Sequence, residues 1–248
     1  METRYVRLAK KYPRELVLLK AYPCFYGECK FCDYISDNIG CSENSDSKAK
    51  DNVVNAIRIN HKTLSKIKGD VPLQVICSAS FDELPAATIA EIVKICVDKN
   101  ITTLIIESHW QFHEQVRTFK NLMRKKGIKV ISLVGAETFN KSFRKNVLGK
   151  DLGDVSALEI SEYFNWVNIL FGIEGQTMES LSKDIDIARR YFQRINVNIF
   201  IPNSTALKRD NALTEEFYQS KLFCEIKDNP KFEILDISDK RAPDTFFI

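Results

Sequence analysis

The sequence has no apolar run long enough to cross a membrane, and its first residues, METRYVRLAK, contain no apolar signal segment. A strong charge of either sign is also missing, because 36 lysines and arginines face 33 aspartates and glutamates. This small basic excess is neither the concentrated positive surface of a nucleic-acid-binding protein nor a polybasic membrane anchor. We therefore expect no membrane partner and no direct binding of nucleic acid.

Disulfide pairing is disfavoured as well, since seven cysteines are an odd number in a chain too long to be a disulfide scaffold. Free thiols persist in a reducing compartment, so we expect a cytoplasmic protein. Apolar residues make up 44% of the 248 positions, which is enough for one sizeable core. The composition thus predicts a single domain over residues 1–248.

What is present is a regular alternation of short β-branched apolar runs with longer segments of helical periodicity. This order is typical of βα units around a parallel sheet, and near-continuous hydrophobicity indicates buried parallel strands. The fold class is therefore predicted as α/β. Strands are predicted at 16–22, 73–80, 101–108, 129–137, 166–174 and 195–203, helices at 51–67, 86–100, 111–126 and 178–192, a polar mobile loop at 36–50, and a last helix and strand at 214–226 and 232–238.

Three cysteines, Cys24, Cys29 and Cys32, crowd the stretch PCFYGECKFCDY directly after the first of these strands. Parallel α/β folds place their chemistry at this carboxyl edge of the sheet. Thiolates suit zinc, copper(I) and iron-sulfur clusters, and a cubane cluster held by three cysteines leaves one iron open to an exogenous ligand. A zinc knuckle that adds Cys41 as its fourth ligand is the alternative.

This loop, which ends in Cys, any residue, aromatic, Cys (CKFC), resembles the radical S-adenosylmethionine superfamily. The commoner spacing in that superfamily is three residues and then two, whereas four residues separate Cys24 from Cys29 here. One extra loop residue has little entropic cost. The resemblance implies a [4Fe-4S] cluster on the three cysteines, S-adenosylmethionine as cofactor, and a 5′-deoxyadenosyl radical that abstracts hydrogen from the substrate. It also implies a partial (βα)6 TIM-like barrel of parallel strands over residues 16–203, with 204–248 as a short C-terminal extension.

Further residues carry over from the superfamily's cofactor-binding motifs at successive strand ends. SASFDEL (78–84) stands where the family has a glycine-glycine-glutamate-like turn for the methionyl amino group. The glycines are replaced here, so Ser78, Ser80 and Asp82 are the candidates for that role, with Asp82 as the carboxylate.

The nucleoside part of the cofactor is expected at the later strands. VGAET (134–138) resembles the family's strand-four carboxylate motif through Glu137, and FGIEGQT (171–177) resembles the strand-five motif near adenine. Gly172 in that motif permits close approach of the backbone. Phe31 and Tyr34 are the expected neighbours of adenine.

A chain of this size with the AYPCFYGECKFCDY loop also resembles the queuine lyases, which release 7-aminomethyl-7-deazaguanine from queuine in queuosine salvage, a tRNA modification pathway. The resemblance implies a lyase that acts on a small planar deazapurine. It also implies an external electron donor such as flavodoxin or ferredoxin, since nothing outside the first loop indicates a second cluster. Candidate substrate contacts at strand ends are Glu107, His109, Trp110, Glu174 and Asn203.

Several alternatives stay open at this point. A radical enzyme acting on RNA or peptide, and a zinc-binding protein without catalysis, are the other function classes. ESHWQFH places Glu107, His109 and His113 together, and these residues fit either a second metal site or polar contacts at the barrel mouth. Thr177 after Glu174 fits an ordinary helix N-cap.

Overall fold

The computed structural model describes residues 4–40 and 46–245. These residues form two compact units, of which the first comprises 4–27, 34–40 and 46–132 and the second comprises 28–33 and 133–245. The segment that carries the three cysteines therefore contributes to both units. The single domain expected from composition stays a prediction.

The first unit consists of β-strands that alternate with helices. Strand β1 pairs antiparallel with β2, which pairs in parallel with β3, and β3 pairs in parallel with β4. Short 3-10 helices follow β2, β3 and β4. The elements are β1 (Tyr5–Leu8), β2 (Arg14–Leu19), a 3-10 helix (Tyr34–Asp37), α1 (Asp46–Leu64), β3 (Leu73–Cys77), a 3-10 helix (Phe81–Glu83), α2 (Ala86–Asp98), β4 (Thr103–Glu107), a 3-10 helix (Trp110–Phe112) and α3 (His113–Arg124).

The apolar face of these strands packs against the helices as one contiguous core. Val17, Val75 and Leu104 on neighbouring strands are buried together with Ile92 of α2. Burial of such surface contributes about 25 cal/mol per Å². Cys96 is fully buried in this core, and burial raises its pKa to about 12, so this thiol is the inert structural group that its apolar context predicts.

The second unit continues the alternation with parallel strands only. Strand β5 begins in the first unit and ends in the second, where it pairs with β6, and the parallel pairs β6 with β7 and β7 with β8 follow. The elements are β5 (Lys129–Glu137), α4 (Lys141–Asn146), α5 (Ala157–Tyr163), β6 (Trp166–Phe171), α6 (Met178–Tyr191), β7 (Arg194–Ile199), α7 (Asn211–Gln219), α8 (Lys221–Ile226) and β8 (Phe232–Leu235).

Side-chain caps explain where the helices of the second unit begin. The Asn140 side chain accepts from the Phe143 N–H at 3.1 Å and begins α4, while Ser156 and Glu159 form a reciprocal capping box at α5. Thr177 accepts from a backbone N–H three residues on, as the N-cap alternative expects. Each cap satisfies an orphan donor of the first helical turn.

The six predicted strands and the four long predicted helices are confirmed, with differences at their ends. Helix α1 begins at Asp46, so the predicted loop 36–50 is wrong over its last residues, and residues 41–45 lie outside the described residues. The predicted helix 214–226 is two helices, because Ser220 is extended and its hydroxyl starts α8. Strand β1 and helices α4 and α5 are absent from the predictions, since four to seven residues carry too little periodicity.

Across the described ranges 4–40 and 46–245, no helix combines the length and the hydropathy that a bilayer-spanning segment needs.

Candidate active site

The three predicted cluster ligands form no disulfide, and each is partly buried. Gly27 turns the chain after Cys24 with a φ of +63°, a left-handed conformation that glycine adopts without steric strain. Farther on, the Cys32 N–H donates to the Cys29 carbonyl at 3.3 Å. Local turns therefore shape the segment between and beside the thiols.

The donor set fits an iron-sulfur cluster by its chemistry, since three thiols outside any disulfide are soft ligands for iron. Within residues 4–40 and 46–245, no three His, Cys, Asp or Glu side chains lie together as ligands of a single ion. That arrangement is what one zinc ion requires, whereas a cubane binds each thiolate through a different iron. Cys41, the fourth ligand of the zinc alternative, lies outside the described residues. The same observation gives no support to a second metal at Glu107, His109 and His113.

Glu83 fastens the N-terminal part of the cysteine segment to the turn after β3. Its carboxylate accepts from the backbone N–H of Phe25 and, at 2.8 Å, from that of Ser80. Its backbone carbonyl accepts from the Tyr22 N–H at 3.0 Å. Hydrogen bonds to a charged acceptor are stronger than those between neutral groups, so Glu83 fixes the backbone of the cysteine segment to the backbone of the turn after β3. Sequence reasoning selected the neighbouring Asp82 and missed this residue.

The turn after β3 also organises the candidates for the methionyl amino group. Ser78 accepts from the Ala21 N–H at 3.0 Å, and Ser80 accepts from the His109 N–H at 3.1 Å. Asp82 accepts from the Ser108 hydroxyl at 2.6 Å. Burial raises the pKa of the Asp82 carboxyl, and the Ser108 hydrogen bond opposes that rise. The role of these residues towards a cofactor stays a prediction.

Aromatic side chains stack at the end of β4. The His109 ring stacks on Tyr26 of the cysteine segment with centroids 4.8 Å apart, and His113 stacks on Trp110 at 4.3 Å. His109 also caps the following 3-10 helix through Nδ1, which accepts from the Gln111 N–H. The first unit thus brings His109 to Ser80 and Tyr26, a grouping that the sequence order alone does not reveal.

In the second unit, the CKFC half of the segment rests on residues 146–150. The Lys30 N–H donates to the Leu148 carbonyl at 2.9 Å. Gly149 has a φ of +67°, and a Cβ there would stand 2.6 Å from the Glu28 carbonyl oxygen. This close approach requires glycine, so the backbone of 146–150 is shaped to receive residues 28–30.

Phe31 is held on its other side by the loop after β7. Its carbonyl accepts from the Asn203 amide at 2.9 Å, and its side chain packs against the buried cluster that contains Leu148 and Phe200. Oδ1 of Asn203 accepts from the N–H and the hydroxyl of the residue two positions on. Both ends of the Asn203 amide are therefore used inside the chain, and its predicted contact with substrate stays a prediction.

Glu137 ends β5 in a left-handed conformation, with a φ of +61° beside a register shift at Gly135. Its carboxylate pairs with Lys150 Nζ at 2.8 Å. An ordinary residue rarely adopts such a φ, and strained residues of this kind cluster at ligand sites. This observation is compatible with the predicted contact to the nucleoside and does not depend on any motif.

The other candidates occupy different surroundings. Gly172 has a φ of +90°, and its carbonyl accepts from the Asp210 N–H at 2.8 Å. Glu174 is exposed, and Tyr34 begins a 3-10 helix with 52% of its surface exposed. Nothing in their hydrogen bonds assigns these residues to a ligand.

Comparison with solved structures places the fold. The chain is similar to the queuine lyase from Clostridium spiroforme bound to SAM and queuine, with a TM-score of 0.84, 39% sequence identity and coverage of 96% of each chain. It is also similar to methylornithine synthase, with a TM-score of 0.51, 16% identity and coverage of 89% of this chain and 64% of that chain, a likeness of fold alone. No protein-family model and no curated protein matches the chain. The first match confirms the predicted α/β partial TIM-like barrel.

Proposed function

Because this chain belongs to the radical S-adenosylmethionine enzymes, in the family of the queuine lyases, we propose that it cleaves queuine and releases 7-aminomethyl-7-deazaguanine. The product keeps the nitrogen, so the bond that breaks joins this nitrogen to the cyclopentenyl carbon. The observation that carries the proposal is 39% identity over 96% of the chain to a lyase solved with SAM and queuine.

The cofactors are a [4Fe-4S] cluster on Cys24, Cys29 and Cys32 and S-adenosylmethionine. When bound, the reduced cluster supplies the electron that cleaves S-adenosylmethionine to the 5′-deoxyadenosyl radical. The chain itself holds the thiol-bearing backbone through Glu83 and through the contacts of residues 146–150. Each half of the segment is thus fastened by hydrogen bonds within its own unit.

Two carboxylates are proposed as contacts of S-adenosylmethionine. Asp82, fixed by Ser108, receives the methionyl ammonium, and Glu137, fixed by Lys150, accepts from the hydroxyls of the nucleoside. Each carboxylate is oriented by a hydrogen-bond partner, as positioning of a cofactor requires. Glycine-free SASFDEL thus supplies a carboxylate from a turn that differs from the commoner family pattern.

For the substrate, the aromatic pairs after β4 support a planar heterocycle. The stacks of Tyr26 with His109 and of Trp110 with His113 present rings that match the flat deazapurine. Glu107 and Glu174 are the proposed acceptors for its donor groups. A small base, rather than RNA or peptide, is the substrate class that the similarity to a queuine lyase supports.

The proposal includes an external electron donor, flavodoxin or ferredoxin, because the chain's cysteine motif accounts for one cluster. It also places the enzyme in the cytoplasm, where a reducing medium keeps the thiols free. Cys24, Cys29 and Cys32 form no disulfide in the structure.

The test is anaerobic reconstitution with iron and sulfide, followed by dithionite, S-adenosylmethionine and queuine, with chromatography of both products. We expect a brown protein that forms 5′-deoxyadenosine and 7-aminomethyl-7-deazaguanine. Cys29→Ala is expected to abolish both products while its circular dichroism stays that of the wild type, and Cys224→Ser, an exposed thiol on α8, is the matched control. A brown wild type that forms 5′-deoxyadenosine but leaves queuine intact would overturn the substrate, and a colourless zinc protein would overturn the class.

A further inference from the structure

Lys150 forms a buried ion pair with the carboxylate proposed to bind the nucleoside. Its Nζ lies 2.8 Å from Glu137 Oε1, and the two side chains are only 10% and 8% exposed. The Cβ of a residue other than glycine at position 135 would stand 2.3 Å from the same Oε1 and 2.5 Å from Nζ. Gly135 therefore opens the space in which the pair meets.

The same ammonium group also faces the aromatic residue of the CKFC motif. Lys150 Nζ lies 5.8 Å from the centroid of the Phe31 ring, within the range of cation-π attraction. Lys150 is thus in contact with two predicted cofactor-binding residues that are far apart in sequence. It also follows directly on Leu148 and Gly149, whose backbone receives the segment before Phe31.

Stability alone is a weak explanation for this arrangement. Two charges that leave water lose hydration free energy, and a buried ion pair is often replaceable by apolar residues without loss of stability. Phe31 and Leu148 already form an apolar cluster at this place, where a methionine in place of Lys150 would pack. A charge retained there is better explained by what it orients than by what it stabilises.

The conformation of Glu137 points the same way. Its φ of +61° at a register shift is unfavourable for a residue with a Cβ, and it persists only if the surroundings hold it. Lys150 is the charged group that holds the far end of this side chain. Without that ion pair, the carboxylate is free to take another rotamer.

We propose that Lys150 is a positioning residue for S-adenosylmethionine: it sets the Glu137 carboxylate and the Phe31 ring against the nucleoside without touching the reacting atoms. This inference rests on the proposed function only for the presence of that cofactor, not for the identity of the substrate. It predicts that loss of Lys150 weakens the binding of S-adenosylmethionine, whereas the iron content of the cluster and the binding of queuine stay unchanged.

The test compares Lys150→Met with Lys145→Met, an exposed lysine on α4 that pairs with Asp151 at the surface. Binding of S-adenosylmethionine and of S-adenosylhomocysteine to the reconstituted proteins is measured by calorimetry, with iron content and visible absorption in parallel. We expect both ligands to bind about tenfold more weakly to Lys150→Met, an effect of the size of one lost charged contact. KM for S-adenosylmethionine should rise with it, while iron content and KM for queuine stay at wild-type values. Unchanged affinity for both ligands would overturn the proposal.

A second comparison covers the case in which Lys150→Met does not fold because an unpaired carboxylate stays buried. Glu137→Gln and the double variant Glu137→Gln, Lys150→Met leave no buried carboxylate at this place. If Lys150 acts chiefly through Glu137, adding Lys150→Met to Glu137→Gln weakens binding by less than about twofold. A full further loss in the double variant would show that Lys150 acts independently of Glu137.

Failure of the proposed function is distinguishable from failure of this inference. Wild type that binds S-adenosylmethionine and forms 5′-deoxyadenosine but does not consume queuine refutes the substrate alone, and the binding comparison still applies. A wild-type protein that binds neither S-adenosylmethionine nor S-adenosylhomocysteine refutes both the proposed function and this inference.

Discussion

Gly149 lies so close to Glu28 that a Cβ atom on it would stand 2.6 Å from the Glu28 carbonyl oxygen. Real Cβ atoms essentially never approach a heavy atom this closely. The contact joins the turn after α4 to the residue that precedes the second cysteine. The backbone of the turn, rather than any side chain, thus shapes one end of the CKFC half.

Gly149→Ala is expected to destabilise the protein and to displace this half of the cysteine segment. The left-handed φ disfavours alanine by about 1–2 kcal/mol, and the clash adds about 1–3 kcal/mol. Gly153→Ala is the matched control, because Gly153 also has a left-handed φ, of +70°, but a Cβ atom at this position would have no neighbour within 4 Å. Urea unfolding of both apo variants and their iron content after reconstitution give the comparison. Equal loss of stability and equal iron content in the two variants would contradict the proposed contact.

Glu83→Gln is expected to loosen the N-terminal half of the segment. Glutamine keeps one accepting oxygen and presents an amide N–H₂, so one of the two bonds from Phe25 and Ser80 is lost. The loss is about 1–3 kcal/mol, since the acceptor is charged. We expect faster loss of iron to a chelator than in wild type.

The control for Glu83→Gln is Glu162→Gln, an exposed position on α5. Its rate of iron loss should equal that of the wild type. If Glu83→Gln loses iron as slowly as this control, the hydrogen bonds of the Glu83 carboxylate are not needed to hold the cysteine segment.

Ser108→Ala is expected to change the pH dependence of S-adenosylmethionine binding. Burial raises the pKa of Asp82, and the hydrogen bond from Ser108 opposes that rise, so removal of the hydroxyl raises the pKa further. The ionised carboxylate is the form that receives an ammonium group. Affinity therefore falls as pH decreases through the Asp82 pKa, and in the variant this decrease begins at higher pH.

Calorimetric titration over an acidic to neutral pH series measures the shift. Ser161→Ala, whose hydroxyl donates only to the Leu158 carbonyl within α5, serves as the control. Superimposable pH profiles for Ser108→Ala and wild type would remove Asp82 from the proposed role.

The order of strands and helices could be predicted from the sequence, because it depends on local patterns of apolar residues. Apolar runs of period two or near-continuous hydrophobicity sit where β2 to β7 form, and three crowded cysteines after the first of them indicated the radical S-adenosylmethionine superfamily, which the match to a queuine lyase confirms. Boundaries were less accurate, since caps such as Ser220 act through single side chains rather than through periodicity.

The residues that fasten the cysteine segment could not be predicted in this way, because each one contacts a residue far away in the sequence. Glu83 bonds to Phe25 58 positions away, and Asn203 bonds to Phe31 across 172 positions. Neither pairing leaves a trace in local composition, so sequence reasoning did not predict these two contacts.

Lys150 shows most clearly the difference between what the sequence predicts and what only the tertiary structure decides. In the sequence it is one of 36 basic residues, and lysine side chains are mostly exposed in folded proteins. Only the tertiary structure buries it against Glu137 and Phe31, because a strand bulge and Gly135 create the space. Local periodicity and the cysteine motif determined the fold class and the predicted chemistry. Long-range packing decided which side chains come together around the candidate site, since desolvation and hydrogen bonding depend on neighbours that the chain supplies only once it is folded.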